Sequence, residues 1–317
     1  MKGISENSFI FSTIRCRKCQ GLKKGVVLPS YNLKLCLSCF VEFFKARVKE
    51  TIEKFKMFTE KEKIAVAVSG GKDSIALAKV LKELGYQIFL IHINCQIKEN
   101  NYSLNSQKTV EEFARKENLP LKVVDLKNEI EVDLKKCAKI SRKEICAVCG
   151  MIRRYLLNRE AKKFDVLSTG HTLNDEASSL LSSLIFWKDG FLARQFPVLK
   201  ERESLGRRVK PLCLSFERET EVFCQILNLP YLSQRCPWRG GTYVFFKRII
   251  NEIESEMPSS TLNFYKGFLK RKRRFFSSFP KETLTPCERC GYLTSAKICS
   301  FCRLKEKIEI FLKKGEK

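Results

Sequence analysis

No apolar run in these 317 residues approaches the roughly 18 needed to cross a bilayer, which sets helical membrane proteins aside. The opening stretch, MKGISENSFIFSTIRC, has no long apolar core followed by a small-residue cleavage site, so no secretory signal is expected and the predicted address is cytosolic. Acidic residues are scarce. Thirty-five Asp and Glu stand against sixty Lys and Arg, and the formal charge of +25 creates a field suited to a polyanion rather than a basic partner. Nucleic acid leads among polyanions, because nothing else in the chain suggests lipid. No low-complexity segment exceeds the basic run KGFLKRKRRFF at Lys266–Phe276, which sets six cations among aromatics, a composition able to hold phosphates and stack on bases. The competing reading is that many of these lysines only solvate helix faces.

Cysteine, by contrast, is abundant. Fifteen occur, ten of them in CxxC pairs, and stable disulfides are disfavoured in a reducing compartment, so metal is the natural explanation. Cys16 and Cys19 are followed after sixteen residues by Cys36 and Cys39; Cys287 and Cys290 are followed after eight by Cys299 and Cys302. Four soft thiolates in each set give a strong zinc-ribbon signal at both ends, where zinc replaces a core that such short segments lack. Cys95, Cys137, Cys213 and Cys224 have no such pattern and read as buried residues.

The middle of the chain alternates strands and helices. IAVAV at Ile64–Val68 reads as a buried parallel strand, followed by a helix whose apolar residues include Ile75, Ala78, Leu81 and Leu84 and which stops at Gly85. Gln87–Ile93 and Leu121–Leu126 read as strands around a helix over Ser106–Asn118. Arg153–Lys163 reads as a helix, Asp165–Gly170 as a strand with its exit loop, and Asn174–Phe186 as a helix. That order favours an α/β fold with a doubly wound parallel sheet. Helices are then expected over Glu217–Asn228, Thr242–Glu256 and Leu262–Arg274, with breaks at Met257–Ser260 and Pro280–Pro286. The expected division is a zinc module over 1–45, a catalytic domain over 46–260, and a basic helix with a second zinc module over 261–317.

Between the first strand and its helix lies SGGKDS, Ser69–Ser74. Gly70 and Gly71 can bring backbone N–H groups close to phosphate oxygens, the helix start adds partial positive charge, and Lys72 can neutralise an anion. The Walker pattern GxxxxGK[ST] is absent. A glycine turn capped by Asp73 and Ser74 is the bland alternative. The segment resembles the PP-loop ATP pyrophosphatases, which have an adenine nucleotide alpha hydrolase-like fold and transfer AMP to a carbonyl oxygen. That resemblance implies that Ser69, Gly70, Gly71, Lys72, Asp73 and Ser74 bind the pyrophosphate portion of ATP, with Lys72 and Asp73 also catalytic. It also sets the second strand near adenine, where His92 either faces the nucleotide or is packed in the core.

Cys146 and Cys149 in ICAVCGMIRRYLLN, Cys236 in RCPW, and GHTLNDEA at Gly170–Ala177 complete the pattern. With the terminal modules they make most of the chain similar to the tRNA 2-thiouridine synthetases. The resemblance implies that Cys146, Cys149 and Cys236 hold a [4Fe–4S] cluster with one iron free for sulfur, and take part in catalysis. The alternative is a structural zinc site closed by a fourth residue such as Cys213. It further implies that Gly170 and His171 lie near ATP and Asp175 near the reacting groups, serving magnesium or proton handling. Many family members carry a second acidic residue where this chain has Asn174, which weakens a two-carboxylate scheme. A helix-capping role for Asn174 or Asp175 is the structural alternative. Arg153 and Arg154 either steady the adenylate or the tRNA, or form a solvated face.

The resemblance thus implies an ATP-dependent tRNA sulfurtransferase with ATP, Mg2+, a [4Fe–4S] cluster and two Zn2+. It would act on tRNA as a homodimer, with a ubiquitin-like thiocarboxylate carrier or sulfide as sulfur donor. Thiolation of a cytidine and a catalytically decayed tRNA-binding scaffold are the rival readings.

Overall fold

The computed structural model describes residues 11–199, 201, 206–276 and 284–315. Strands β1 (Ser12–Arg15), β2 (Leu22–Leu28) and β3 (Leu33–Cys36) form an antiparallel sheet that runs directly into helix α1 (Leu37–Phe55). Phe40, Phe44, Val48 and Ile52 recur at four-residue steps on α1 and are all buried, which gives the helix one apolar stripe to bury. The helix crosses residue 45 unbroken. The N-terminal module is therefore joined to the rest by a continuous rod rather than a linker.

The central sheet is built from β4 (Ile64–Ala67), α2 (Lys72–Glu83), β5 (Ile88–Asn94), α3 (Tyr102–Lys116), β6 (Leu121–Asp125), α4 (Leu134–Ser141), α5 (Ile145–Glu160) and β7 (Val166–Thr169). Then follow α6 (Leu173–Ile185), α7 (Asp189–Arg194), β8 (Val198–Leu199) and β9 (Arg207–Val209). Its order is β6-β5-β4-β7-β9-β8, parallel throughout except for β8, which pairs antiparallel at the edge. The doubly wound parallel sheet expected from the sequence is the fold that forms. The strand order reverses between β4 and β7, and ligands of open α/β sheets bind outside the strand ends at such a point. On β4, Ile64 and Val66 enter one apolar cluster while Ala65 enters the other, as the two-residue strand period requires for a sheet covered on both faces.

Helices α8 (Glu217–Ile226), α9 (Thr242–Glu256) and α10 (Ser260–Phe276) complete the side of the sheet that carries α1, where Phe44 and Phe223 meet at 4.7 Å between ring centroids. The C-terminal module, β10 (Thr285–Pro286), β11 (Leu293–Thr294) and α11 (Ser300–Gly315), docks on the other side. There Phe301 stacks on Tyr155 of α5 with centroids 4.0 Å apart.

Several boundaries differ from the sequence reading. Helix α5 begins at Ile145, not Arg153, so Cys146 lies on its first turn and Cys149 at the start of its second. The opening ICAVCG is poor in strong helix formers, and only the bonds from Ala147 and Val148 N–H to the Glu144 carbonyl show the helix to be under way. Helix α4 and strand β9 were also not foreseen, being too short for periodicity to register. The basic run lies on α10 with side chains described to Lys272; the later side chains of that run, and residues 277–283 of the expected break, lie outside the described residues.

Candidate active site

The turn after β4 closes on itself. Ser69 N–H donates to Ser74 Oγ at 3.0 Å, and that hydroxyl donates to the Gly71 carbonyl at 2.9 Å. Gly70 has φ +79°, and a Cβ there would stand 2.9 Å from the Ser106 carbonyl oxygen, so only glycine fits. Gly170, at the exit of β7, approaches as closely: its Cβ would lie 3.0 Å from Ser74 N. Gly71 caps α2 without a side-chain hydrogen bond, and a Cβ on it would meet only Ser69 Oγ at 3.5 Å. The start of α2 is thus uncapped, with free space beside Gly71, at the positive end of the helix dipole, a setting suited to an anion. His92 is buried, with Nδ1 2.9 Å from the Val68 carbonyl oxygen; it braces the end of β4 and offers almost no surface to a nucleotide.

Beside the turn runs a chain of alternating charges. Lys72 Nζ bonds Glu217 at 2.6 Å, and Lys247 Nζ bonds Glu217 and Asp175, each at 2.7 Å. Asp73 accepts from the Thr220 hydroxyl. Burial pushes the Asp73 carboxyl up to about 6, the pull of Lys72 notwithstanding, and Glu217 and Asp175 push it the same way. For Asp175 the balance reverses: burial would raise it, but Lys247, His171 and the Tyr243 hydroxyl hold it well below the ordinary carboxylate range.

Asp175 fills the helix-capping role weighed for it and also joins the chain of charges beside the turn. One oxygen closes a capping box, accepting Thr172 N–H at 2.9 Å and its hydroxyl at 3.1 Å; the other accepts Lys247 and Tyr243. With four donors on two oxygens, the carboxylate has no open position for magnesium, so that part of the expectation does not fit. Asn174 accepts Glu217 N–H at 2.9 Å and donates to Asn251 at 2.8 Å. Glu217, whose helix start Asn174 holds, puts a second carboxylate across Lys247 from Asp175. Glu217 and Lys247 were not foreseen. An acidic residue in a helix first turn reads as dipole compensation, and a lysine in α9 as a solvated face.

The third part of the site is a set of thiols. Cys146 is exposed on the first turn of α5 and donates to the Trp238 carbonyl at 2.7 Å; Cys149 and Cys236 are half-buried. Cys95, expected to be merely buried, lies with its sulfur 3.8 Å from that of Cys149. Arg153 and His171 are solvent-accessible, yet surrounding protein depresses the His171 pKa and opposes the Arg153 charge, as on the floor of a cleft. The thiols of Cys95, Cys149 and Cys236 outweigh that opposition for Arg153. Leu232 N–H donates to the Gly70 carbonyl at 2.8 Å, and Cys236 follows four residues later, so at most about 14 Å of extended chain separates the glycine turn from the thiols.

Among the described residues, two groups of four metal-ligating atoms each converge within 4.8 Å: Cys16, Cys19, Cys36 and Cys39, and Cys287, Cys290, Cys299 and Cys302. A tetrahedral ion with bonds of about 2.3 Å sets its sulfurs about 3.8 Å apart. Cys19 and Cys36 stand at 3.7 Å and Cys290 and Cys299 at 3.8 Å. Backbone N–H groups of Cys19, Cys36 and Lys18 bring Cys16 down to about 6 although burial raises it, which favours a thiolate. Cys146, Cys149 and Cys236 do not converge in this way. Their wider spread suits a polynuclear group better than one ion. Cys213 cannot close a zinc site with them: it is fully buried in the other apolar cluster, beside Glu176 and Lys210.

With this geometry in place, likeness to known proteins becomes informative. Residues 42–232 match the PP-loop domain family. The chain is 41% identical over 301 residues to the tRNA-5-methyluridine(54) 2-sulfurtransferase of Thermotoga maritima, covering 93% of this chain and 97% of that protein. It belongs to the PP-loop family of tRNA sulfurtransferases. To the family member named cytoplasmic tRNA 2-thiolation protein 1 in Aspergillus niger it is 30% identical, over 92% of this chain and 87% of the relative. Among solved structures, the U34-tRNA thiolase NcsA from Methanococcus maripaludis with its [4Fe-4S] cluster superposes with a TM-score of 0.77 at 25% identity, over 93% and 96% of the two chains. As a PP-loop sulfurtransferase, the chain is an ATP-using enzyme of tRNA modification.

Proposed function

We propose that this enzyme transfers AMP from ATP to the C2 oxygen of a tRNA uridine and replaces that oxygen with sulfur. The observation that carries the reading is the glycine turn, uncapped at the start of α2, with Cys236 four residues along the segment bonded to it and Cys146 bonded to Trp238 of that same segment. In the first step the C2 oxygen attacks the α-phosphorus, the α–β anhydride bond breaks and pyrophosphate leaves. In the second, a sulfur nucleophile adds at C2, the C2–O bond breaks and AMP departs with the oxygen.

The turn and the first N–H groups of α2 hold the pyrophosphate portion. Lys72 exchanges Glu217 for phosphate oxygens, and Lys247 keeps Glu217 paired when it does so. His171 and Gly170 flank the nucleotide from β7, and Arg153 neutralises thiolate charge on the cleft floor. Cys146, Cys149 and Cys236 fit a [4Fe–4S] cluster, which when bound supplies an iron with an open position for the incoming sulfur. The terminal quartets fit one zinc ion each.

Relatives at 41%, 38% and 35% identity are named for position 54, so 5-methyluridine 54 is the proposed target; the relative at 30% is named only for tRNA 2-thiolation. No helix among the described residues is long and apolar enough to cross a membrane, and the cytoplasm is the proposed place of action. Lys72→Ala should reduce tRNA-stimulated AMP release at least a hundredfold; unchanged turnover would refute the nucleotide site. Nucleoside mass spectrometry of tRNA from cells lacking the enzyme should show loss of 2-thiolated 5-methyluridine. Loss of 2-thiocytidine instead would assign the enzyme to cytidine.

A further inference from the structure

The far end of α6 and the turn into α7 expose an aromatic group that the fold does not cover. Trp187 is 75% exposed and Phe191 63%, with Ile185 and Phe186 more than half exposed. Trp187 also has φ +45°, an uncommon conformation for a bulky residue, and its ring gains no packing in return. Folding does not account for it. A contiguous apolar patch of this kind marks a contact surface.

Its surroundings identify the contact. Lys188 lies 4.9 Å from the Phe186 ring centre, Arg194 5.5 Å from that of Phe191, and Arg248 5.6 Å from that of Phe245. The basic helix α10 packs against α6 and α7, and its Lys272 lies over Phe196 at 5.3 Å while donating to the Gln195 carbonyl. Burial, with the nearby Lys210, brings Lys272 down to about 8, so α10 sets a cation against the apolar end of α7. A second copy docked two-fold on this face would bring Lys188, Arg194 and Arg248 near their own images. A polyanion with flat faces to stack meets both features.

We propose that this surface stacks unpaired bases of the tRNA while the adjoining cations hold its phosphates. The proposal rests on tRNA being the substrate. Helix α6 links the two places: Asp175 on its first turn lies in the cleft, and Ile185 at its last residue lies ten residues further, about 15 Å along the axis, with Trp187 in the turn just beyond. A single RNA loop can therefore present one base to the cleft while a base a few nucleotides away rests on the indole.

The test is tRNA affinity at fixed salt for the full-length enzyme, Trp187→Ala and Trp187→Phe, with ATP affinity and sedimentation mass measured on each. Trp187→Ala should weaken tRNA binding about tenfold, the loss of one stacked base. Trp187→Phe should retain most of it, and ATP affinity should not change. Binding of tRNA by Trp187→Ala within twofold of the parent would overturn the proposal. If such a variant also sediments at lower mass than the parent, the patch is a contact between copies. A parent enzyme that binds no tRNA would refute the substrate reading itself, a result separable from the others because it needs no substitution.

Discussion

Two side chains show how position turns similar chemistry into opposite behaviour. Asp73 and Asp175 are both enclosed carboxylates, but Asp175 faces Lys247 and a capping N–H whereas Asp73 has mainly Thr220 and a more distant lysine. Asp175 is therefore held low and Asp73 is pushed up to about 6. An acid raised by folding favours the native state when protonated, so the stability Asp73 withholds at neutral pH returns as pH falls from about 6 towards 4. Asp73→Asn should accordingly be more stable than the parent at pH 7.5 in urea unfolding, with the difference closing near pH 4. A gain independent of pH would contradict this account.

At the scale of elements, α9 is the part that family resemblance did not announce. It lies beyond the residues that match the PP-loop family, yet Tyr243 and Lys247 reach Asp175, and Asn251 reaches Asn174. Lys247 is buried and neutralises two carboxylates on different helices, Asp175 of α6 and Glu217 of α8. Removing one partner from such a buried network costs about 3–5 kcal/mol because the remaining charges are left uncompensated. Lys247→Met should lose stability of that order in denaturant titration and should release little AMP. Were it to unfold like the parent, α9 would be an accessory to the site rather than part of it.

In the whole molecule, the two cysteine modules are fastened to different working parts. The N-terminal module continues into α1, whose Phe44 packs on Phe223 of α8, the helix that begins with Glu217. The C-terminal module rests on α5 through Phe301 and Tyr155 and through the Asn158–Tyr292 hydrogen bond at 2.7 Å, and α5 carries Cys146 and Cys149. Cys36→Ser and Cys299→Ser should each lower the zinc content by one ion per chain. Only Cys299→Ser should also lower iron loading after reconstitution, since only that module supports the thiol-bearing helix. Equal iron loading in both variants would show the modules to be independent of the site.

What sequence alone determined is what depends on residues close together in the chain. The parallel strands are short apolar runs, the glycine turn sits between strand and helix, and each cysteine quartet is folded from one segment with its spacing visible. Cys146, Cys149 and Cys236 were assembled only by resemblance, because nothing in their spacing brings residue 236 to residue 149. Tertiary structure alone decided which charges meet. Glu217, Lys247 and Tyr243 reach the cleft because α8 and α9 fold back over α6, and Cys95 meets Cys149 because the exit of β5 abuts α5. Periodicity records which face of an element avoids water, and it carries no information about which distant polar group that face will find.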